Sequence, residues 1–466
     1  MINALETIPV SQQSGQSADF SQDAVSYRFL EKSERDWYIA KTADFYVNGQ
    51  WVRKFNGEMY MFKGIVYRTL DEASFYNVAY QHAYNEGITL KPGECKQLLQ
   101  SVRMRLPESP IKPDPEYYTV FKNGPVSNID GTLLSVYPQD YFPTIYVDAN
   151  YLGNAPLSHP TADAFLDTIS GHDPELIKRH WEFWGYVLSS DYRAKAIFSL
   201  YGPSGNNGKS TELDLIRSFL PDAVVSMPVK TMTSPFGRRN IQHCRLQYSA
   251  DEGAVNLNSE SIGFLKSASG FDHVTVDVKF KNMATFECKC KIAFASNYDI
   301  GMAYGAVDQA FLRRLVTLPY PYSIPKEQQN PMMLQYLLME KDAIATEAHR
   351  HYLQLKANNY LFAGHERFDQ MQSVLSSPVN DEYNAVRDFS DKYCDFTDNS
   401  AFTTTQDLYT VFAANYQTGI IDITGFSQAF NHVNGDMVKC DRKHTSTDNL
   451  RGYSGVKLIL PPAIQH

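Results

Sequence analysis

Hydrophobic positions along this chain change period repeatedly, and each change predicts an element. The apolar run Ile197-Phe198-Ser199-Leu200-Tyr201 reads as a short strand and stops at a stretch of small polar residues, Gly202 to Gly208. Lys209-Ser210-Thr211 then opens a helix that continues to Phe219. Upstream, the β-forming runs Phe45-Tyr46-Val47, 51–55, 58–62 and 65–67 are separated by Asn48-Gly49, Asn56-Gly57 and Lys63-Gly64, which predicts a small antiparallel meander. Asp71 caps a helix carrying Phe75, Ala79 and Ala83, and Pro92-Gly93 breaks the chain before another amphipathic helix around residues 98–106. Residues 123–160 read as loops and short strands. Ala164 to Ile169 is helical, and Asp173-Pro174-Glu175 starts a further helix with Ile177, Trp181, Trp184 and Leu188 on one stripe. That stripe packs either in an internal core or on a neighbouring subunit.

Beyond the first helix the pattern continues. Residues 244–250 form a strand that ends in Asp251-Glu252, and residues 259–270 form a helix carrying Lys266. An alternating run from Asp272 turns near Asn282 and returns through Thr285-Phe286-Glu287, a hairpin with Lys279, Phe280 and Lys281 near its tip. Lys291 to Ser296 is a buried strand ending at Asn297. Arg313 and Arg314 sit on a short helix before a strand at 316–318. Helices follow from about residue 325 to 355, with the His349-Arg350-His351 run on an exposed face, and 375–380 reads as a linker. Val386/Phe389/Tyr393, Leu408/Phe412/Tyr416 and Phe426/Phe430 recur at helical spacing. Strands at 438–440 and 455–460 then flank a basic loop with Arg442, Lys443, His444 and Arg451. Three helices and a hairpin predict a winged helix, whose basic wing suits DNA and a protein partner equally.

At 466 residues the chain exceeds one core and predicts about three domains. Its 43% hydrophobic and 13% aromatic content is that of a globular protein, with aromatics used mainly in cores. No apolar run is long enough to span a bilayer and no signal pattern opens the chain, so no membrane association and a cytoplasmic (host-cell) location are expected. The six cysteines have no framework spacing; Cys288 and Cys290 read as packed side chains rather than metal ligands. A net charge of −9 excludes a protein coated in nucleic acid, although a few basic residues lining a channel remain compatible with it.

The strand–loop–helix at Ile197–Phe219 has the order that phosphate binding requires. Small residues let backbone N–H groups curl around phosphate oxygens, and the helix N-terminus adds partial positive charge. The loop residues are Gly202, Pro203, Ser204, Gly205, Asn206, Asn207, Gly208, Lys209, Ser210 and Thr211. Lys209 is placed to reach the β- and γ-phosphates and Ser210 to ligate Mg²⁺. Five residues separate Gly202 from Gly208 where the motif has four, so either Pro203 takes the first position or the loop is one residue longer. A carboxylate pair at a strand end is common, but downstream of such a loop it has a use: Asp251 for the metal, Glu252 to polarise water. Asn297 is placed to orient that water or sense the γ-phosphate. An arginine near 313–314 would stabilise charge in a neighbour's site. Lys279 and Lys281 would contact nucleic-acid phosphates and Phe280 a sugar or base.

Gly-Asn-Asn-Gly-Lys-Ser-Thr, Asp251-Glu252, the lysine hairpin, Phe-Ala-Ser-Asn297 and Arg313-Arg314-Leu315, in this order, resemble the superfamily-3 helicases. These are AAA+-like ring ATPases of viruses, phages and mobile elements, and the likeness is to the group of the poxvirus primase-helicase and satellite-phage replication proteins. Phe121-Lys122-Asn123-Gly124, Leu133-Leu134 and Trp184 to Leu188 follow that group's upstream pattern. The resemblance implies an α/β fold: an AAA+-like P-loop NTPase core with a parallel sheet, after an α+β N-terminal domain and a helical collar, and before a winged-helix-like C-terminal domain. The expected boundaries are a mobile tail 1–26, N-terminal domain 27–160, collar 161–195, ATPase core 196–325, lid and linker 326–380, and winged-helix-like domain 381–466.

The resemblance further implies a replicative ATP-dependent DNA helicase using ATP and Mg²⁺, with Lys209, Glu252 and Asn297 catalytic. Arg314 is the finger offered to the next subunit, Arg313 the second choice. Lys266, Lys279, Phe280 and Lys281 face single-stranded or forked DNA. A hexameric ring and a separate primase or replication protein as partner are expected. Two other readings compete: an NTPase of this kind that remodels a protein or acts in defence without unwinding, and a nucleotide-dependent DNA-binding initiator.

Overall fold

The first helix runs further than the β-forming residues at its end predict. In the computed structural model, α1 (Lys32–Asn48) takes in Phe45-Tyr46-Val47 and buries Tyr38, Ile39, Thr42, Ala43 and Tyr46, a helical stripe. The expected first strand of the meander is therefore the last turn of a helix, because Tyr46 completes the period-3.6 pattern begun at Tyr38. The structure describes residues 28–135, 141–202, 205–234, 237–241, 243–252, 256–276, 284–297, 301–302, 309–369, 377–416, 422–435, 437–444 and 449–459. The tail expected over 1–26, Pro203, Ser204, and the hairpin tip with Lys279, Phe280 and Lys281 lie outside these residues.

Contacts divide the chain into two units, one of the described residues 28–63 and 67–110, the other of 64–66 and 111–459. In the first, β1 (Val52–Phe55), β2 (Glu58–Phe62) and β3 (Tyr67–Thr69) form the meander in that order. Phe55 pairs with Glu58 across Asn56-Gly57, both with positive φ (49° and 77°), the twist that two-residue hairpins need. α2 (Glu72–Asn85) is capped by Asp71, whose carboxylate accepts from Ser74 N at 2.8 Å. With α3 (Pro92–Arg105) it closes a core of Ala43, Tyr46, Phe75, Leu98 and Val102.

The second unit begins with the hairpin β4 (Tyr118–Phe121) and β5 (Gly124–Ser127), then α4 (Pro160–Ile169) and α5 (Pro174–Leu188). Asp173 caps α5 as expected, accepting from Glu175 N at 3.0 Å. The tryptophan stripe packs inside this chain: Trp181 and Trp184 belong to its largest core. Next come β6 (Ile197–Tyr201), α6 (Lys209–Phe219), β7 (Val224–Ser226), α7 (Val229–Met232), β8 (Leu246–Glu252), β9 (Asn256–Leu257) and α8 (Ser259–Ser269). After them lie β10 (His273–Val276), β11 (Ala284–Glu287), β12 (Lys291–Ser296), β13 (Gly301–Met302), α9 (Gln309–Leu312) and β14 (Leu315–Pro319). Five of these strands make one parallel sheet in the order β14-β6-β12-β8-β7. Parallel strands need crossovers, and the apolar faces of α5, α6 and α8 cover the sheet. β10 and β11 pair antiparallel, forming the base of the expected hairpin.

α10 (Met333–Met339) and α11 (Lys341–Ala357) follow, and α11 lies against α5 so closely that a Cβ on Gly185 would overlap the Ala348 carbonyl. The His349-Arg350-His351 run is not an exposed face. His349 is buried, its Nε2 3.0 Å from Asn128 Oδ1, and His351 stacks on Trp181. Close α5–α11 packing turns that side of the helix inward. Asp191, just past α5, accepts from Arg193, Tyr352 and Tyr360 at 2.6–3.0 Å. Burial alone would raise its carboxyl; these donors outweigh that and hold it well below the usual range.

Beyond residue 376 a helix Ser377–Tyr393 takes in most of the expected linker, since Val386 and Phe389 anchor it to a core with Leu408, Phe412, Phe426 and Phe430. Helices Thr405–Asn415 and Ile423–Asn434 precede a hairpin of Lys439–His444 and Asn449–Ser454. Arg442, Lys443, His444 and Arg451 thus belong to the paired strands, not to a loop between outer strands. No helix among the described residues is long and apolar enough to cross a membrane.

Candidate functional site

The carboxyl ends of β6, β12 and β8 lie level: Tyr201 pairs with Ser296, and Ser296 with Glu252. Parallel sheets present their ligand sites at this edge, and three of the sequence motifs converge there. Strands are about 4.8 Å apart, so the Asp251-Glu252 backbone runs two strands, roughly 10 Å, from β6.

The loop after β6 is shaped by its glycines. Gly208, the N-cap of α6, has φ 90°, and a Cβ there would stand 2.6 Å from Ile169 Cγ2. At Gly202 a Cβ would overlap the Asn207 side-chain amide. Asn207 is buried, Gly205 and Asn206 are exposed, and Asn206 itself takes a left-handed φ of 57°. Left-handed φ at Asn206 and Gly208 is the backbone geometry that anion-binding turns use. Lys209 is the first residue of α6, with Ser210 exposed and Thr211 half-buried beside it.

Lys209 Nζ donates to Gly202 O at 3.2 Å and to Asn297 Oδ1 at 2.9 Å. Two residues 88 apart in sequence thereby meet at one ammonium group. Residues 200–314 match a known family model. Its description is a family of unknown function, DUF5906, and the match takes in the loop, Asp251-Glu252, Asn297 and both arginines. No curated protein matches the chain. Among solved structures, the apo C-terminal region of NrS-1 is similar at 10% identity and a TM-score of 0.48, over 90% of this chain and 98% of that one. A second apo structure of that region gives 10% identity and 0.46, over 92% and 100%. At 10% identity and TM-scores below 0.5, these likenesses carry no argument about this chain.

The two arginines part company. Arg314 Nη1 donates to the Lys266 carbonyl and, at 3.1 Å, to Ser269 Oγ, in the last turn of α8. A guanidinium there satisfies carbonyls left open at a helix C-terminus. Arg313, in the turn after α9, is exposed. Lys266 lies on α8 as expected.

Sequence reasoning missed the residues beneath the loop. Glu212, on α6, is fully buried against His180, Trp184 and Tyr320. Burial, then the neighbouring Glu212 charge, raises the Tyr320 hydroxyl well above its usual range, so it stays a donor. The signal was present: a carboxylate on the stripe Glu212, Ile216, Phe219, otherwise apolar, is a buried charge awaiting partners.

Proposed function

We propose that this chain is an ATP-dependent DNA translocase of the superfamily-3 helicase kind, acting as a ring. The observation that carries the reading is the bond from Lys209 Nζ to Asn297 Oδ1, at the sheet edge where the phosphate-loop, acidic and polar-amide motifs meet. The residues present fit a nucleoside triphosphate: glycines that leave no room for a Cβ at Gly202 and Gly208, at the N-terminus of an 11-residue helix with a lysine at its first position. Bound Mg²⁺, held by Ser210 and Asp251, would neutralise phosphate charge. Lys209 would exchange Asn297 for the γ-phosphate, releasing the Asn297 amide to orient water that Glu252 polarises.

Arg313, exposed where Arg314 is tied to α8, is the arginine we assign to the neighbouring subunit's site. Arg314 then holds the turn that presents it. Lys266, Lys279, Phe280 and Lys281 form the DNA-facing set. The C-terminal hairpin is a second basic surface, with exposed Arg442 and Arg451 directly opposite one another. Like charges so paired repel, and a polyanion relieves them.

Steady-state ATP hydrolysis tests the reading. The parent protein hydrolyses ATP with Mg²⁺; Lys209→Ala loses nucleotide binding, and Glu252→Gln binds ATP but turns over at least about 100-fold more slowly. A parent without activity, or a Glu252→Gln variant as fast as the parent, overturns it.

A further inference from the structure

Behind the phosphate loop lies a buried polar cluster to which the steps above assign no part. Glu212 stands one turn after Lys209 on α6. Its Oε1 lies 2.9 Å from His180 Nδ1 and accepts from Trp184 Nε1, and its Oε2 accepts from the Tyr320 hydroxyl. Three elements therefore meet on one carboxylate: α5 through His180 and Trp184, α6 through Glu212, and the segment after β14 through Tyr320. Burying such a group gains little over apolar packing, and its best-attested use is to fix register.

Tyr320 is held at both ends. Its N–H donates to Tyr201 O at 2.7 Å, carrying the β14–β6 pairing to the mouth of the loop. Its ring lies under Lys209, with Nζ 5.8 Å from the centroid. Residues i and i+3 share a helix face, so the ring meets Lys209 while the hydroxyl meets Glu212. The same segment is laced to the loop twice more, by Ser323 Oγ to Gly205 O and Ile324 N to Asn206 O, each 2.9 Å.

Resting on the nucleotide reading above, we propose that Tyr320, anchored by Glu212, is a positioning residue for Lys209 that sets the ammonium group at the height of the γ-phosphate. The ring face attracts the cation from below without competing for its hydrogen-bond donors, and the Glu212 anchor keeps the ring from swinging away. The device discriminates nucleotides by phosphate number. ADP engages the loop backbone, whereas only ATP draws fully on a correctly placed Lys209.

The test is the ratio of ATP to ADP affinity, read by equilibrium binding of fluorescent nucleotide to the full chain, alongside kcat and KM. Tyr320→Phe keeps the ring and drops the anchor; Tyr320→Leu drops both; Glu212→Gln weakens the anchor from its other side. Expected are an ADP Kd that rises less than the ATP Kd, and an ATP/ADP ratio about threefold lower in Tyr320→Phe and about tenfold lower in Tyr320→Leu, with kcat falling in parallel. Asp191→Asn, which disturbs a buried carboxylate away from the loop, serves as the control for general loosening: it lowers Tm and leaves the ratio as in the parent. Should Tyr320→Leu not fold, Tyr320→Phe and Glu212→Gln carry the comparison. A ratio equal to the parent's in both, in a parent that binds and hydrolyses ATP, overturns the positioning role and leaves the nucleotide reading standing. A parent that binds neither ATP nor ADP overturns both.

Discussion

At the scale of residues, what the sequence reveals depends on whether a side chain's role is local. The cap at Asp71, the left-handed Asn56-Gly57 turn and the glycine-lined loop before Lys209 are local, and each stands where its residue types predict. Arg313 and Arg314 are adjacent and chemically identical; only the approach of the α8 C-terminus separates them. His349 is similar. Nothing in His-Arg-His says which member faces inward, yet His349 lies between Asn128, Phe121 and Tyr151. Its burial, with the Lys356 charge second, lowers its pKa from 6.5 to about 3. A histidine kept neutral in the fold takes a proton on unfolding once pH drops below 6.5. Stability is therefore full above that pH and declines toward about pH 3, by up to about 1.4 kcal/mol per pH unit. His349→Gln, which keeps a donor for Asn128, should flatten this dependence: in urea unfolding at pH 7 and pH 5, the parent's loss should exceed the variant's by about 2 kcal/mol. Parallel losses would contradict the assignment.

Elements were legible where their period was long and their ends were marked. β6, β8, β12 and β14 of the central sheet and the helices α2, α5, α6 and α8 fall where apolar spacing and caps put them, whereas the short edge strand β7 had no such signal. Errors came where β-forming residues end a helix, as at Phe45-Tyr46-Val47, and where a strand is built of charged residues, as at Lys439–His444. A strand that exposes Arg442 has no apolar alternation to announce it. Contacts between elements were invisible, among them the close one between α5 and α11. Gly185 lets the two helices approach until the Ala348 carbonyl fills the space of its missing Cβ. Gly185→Val should force the pair apart and cost about 3 kcal/mol by chemical denaturation, and a loss under about 1 kcal/mol would show that the packing yields. The same helix carries His180 and Trp184 to Glu212, so α5 links the loop to the core behind it.

At the scale of the whole molecule, the order of motifs predicts the chemistry and the sheet order explains why they meet. β12 lies beside β6 although β7 and β8 intervene in sequence, and this crossover brings Asn297 to Lys209. A site completed by a neighbour would be divided between two copies of the chain. In a ring with head-to-tail contacts, each subunit gives its loop to one interface and its arginine to the other. Mixing two inactive variants tests that directly. Lys209→Ala lacks a working loop but retains Arg313, and Arg313→Ala has a working loop but lacks the arginine for its neighbour. Each alone should hydrolyse ATP at background rate with or without single-stranded DNA. Mixed in equal amounts, they should recover about a quarter of the parent's DNA-stimulated rate, since about one interface in four pairs an intact loop with an intact arginine. A mixture no more active than its components, or an Arg313→Ala variant active by itself, would contradict a ring ATPase whose sites are shared between subunits.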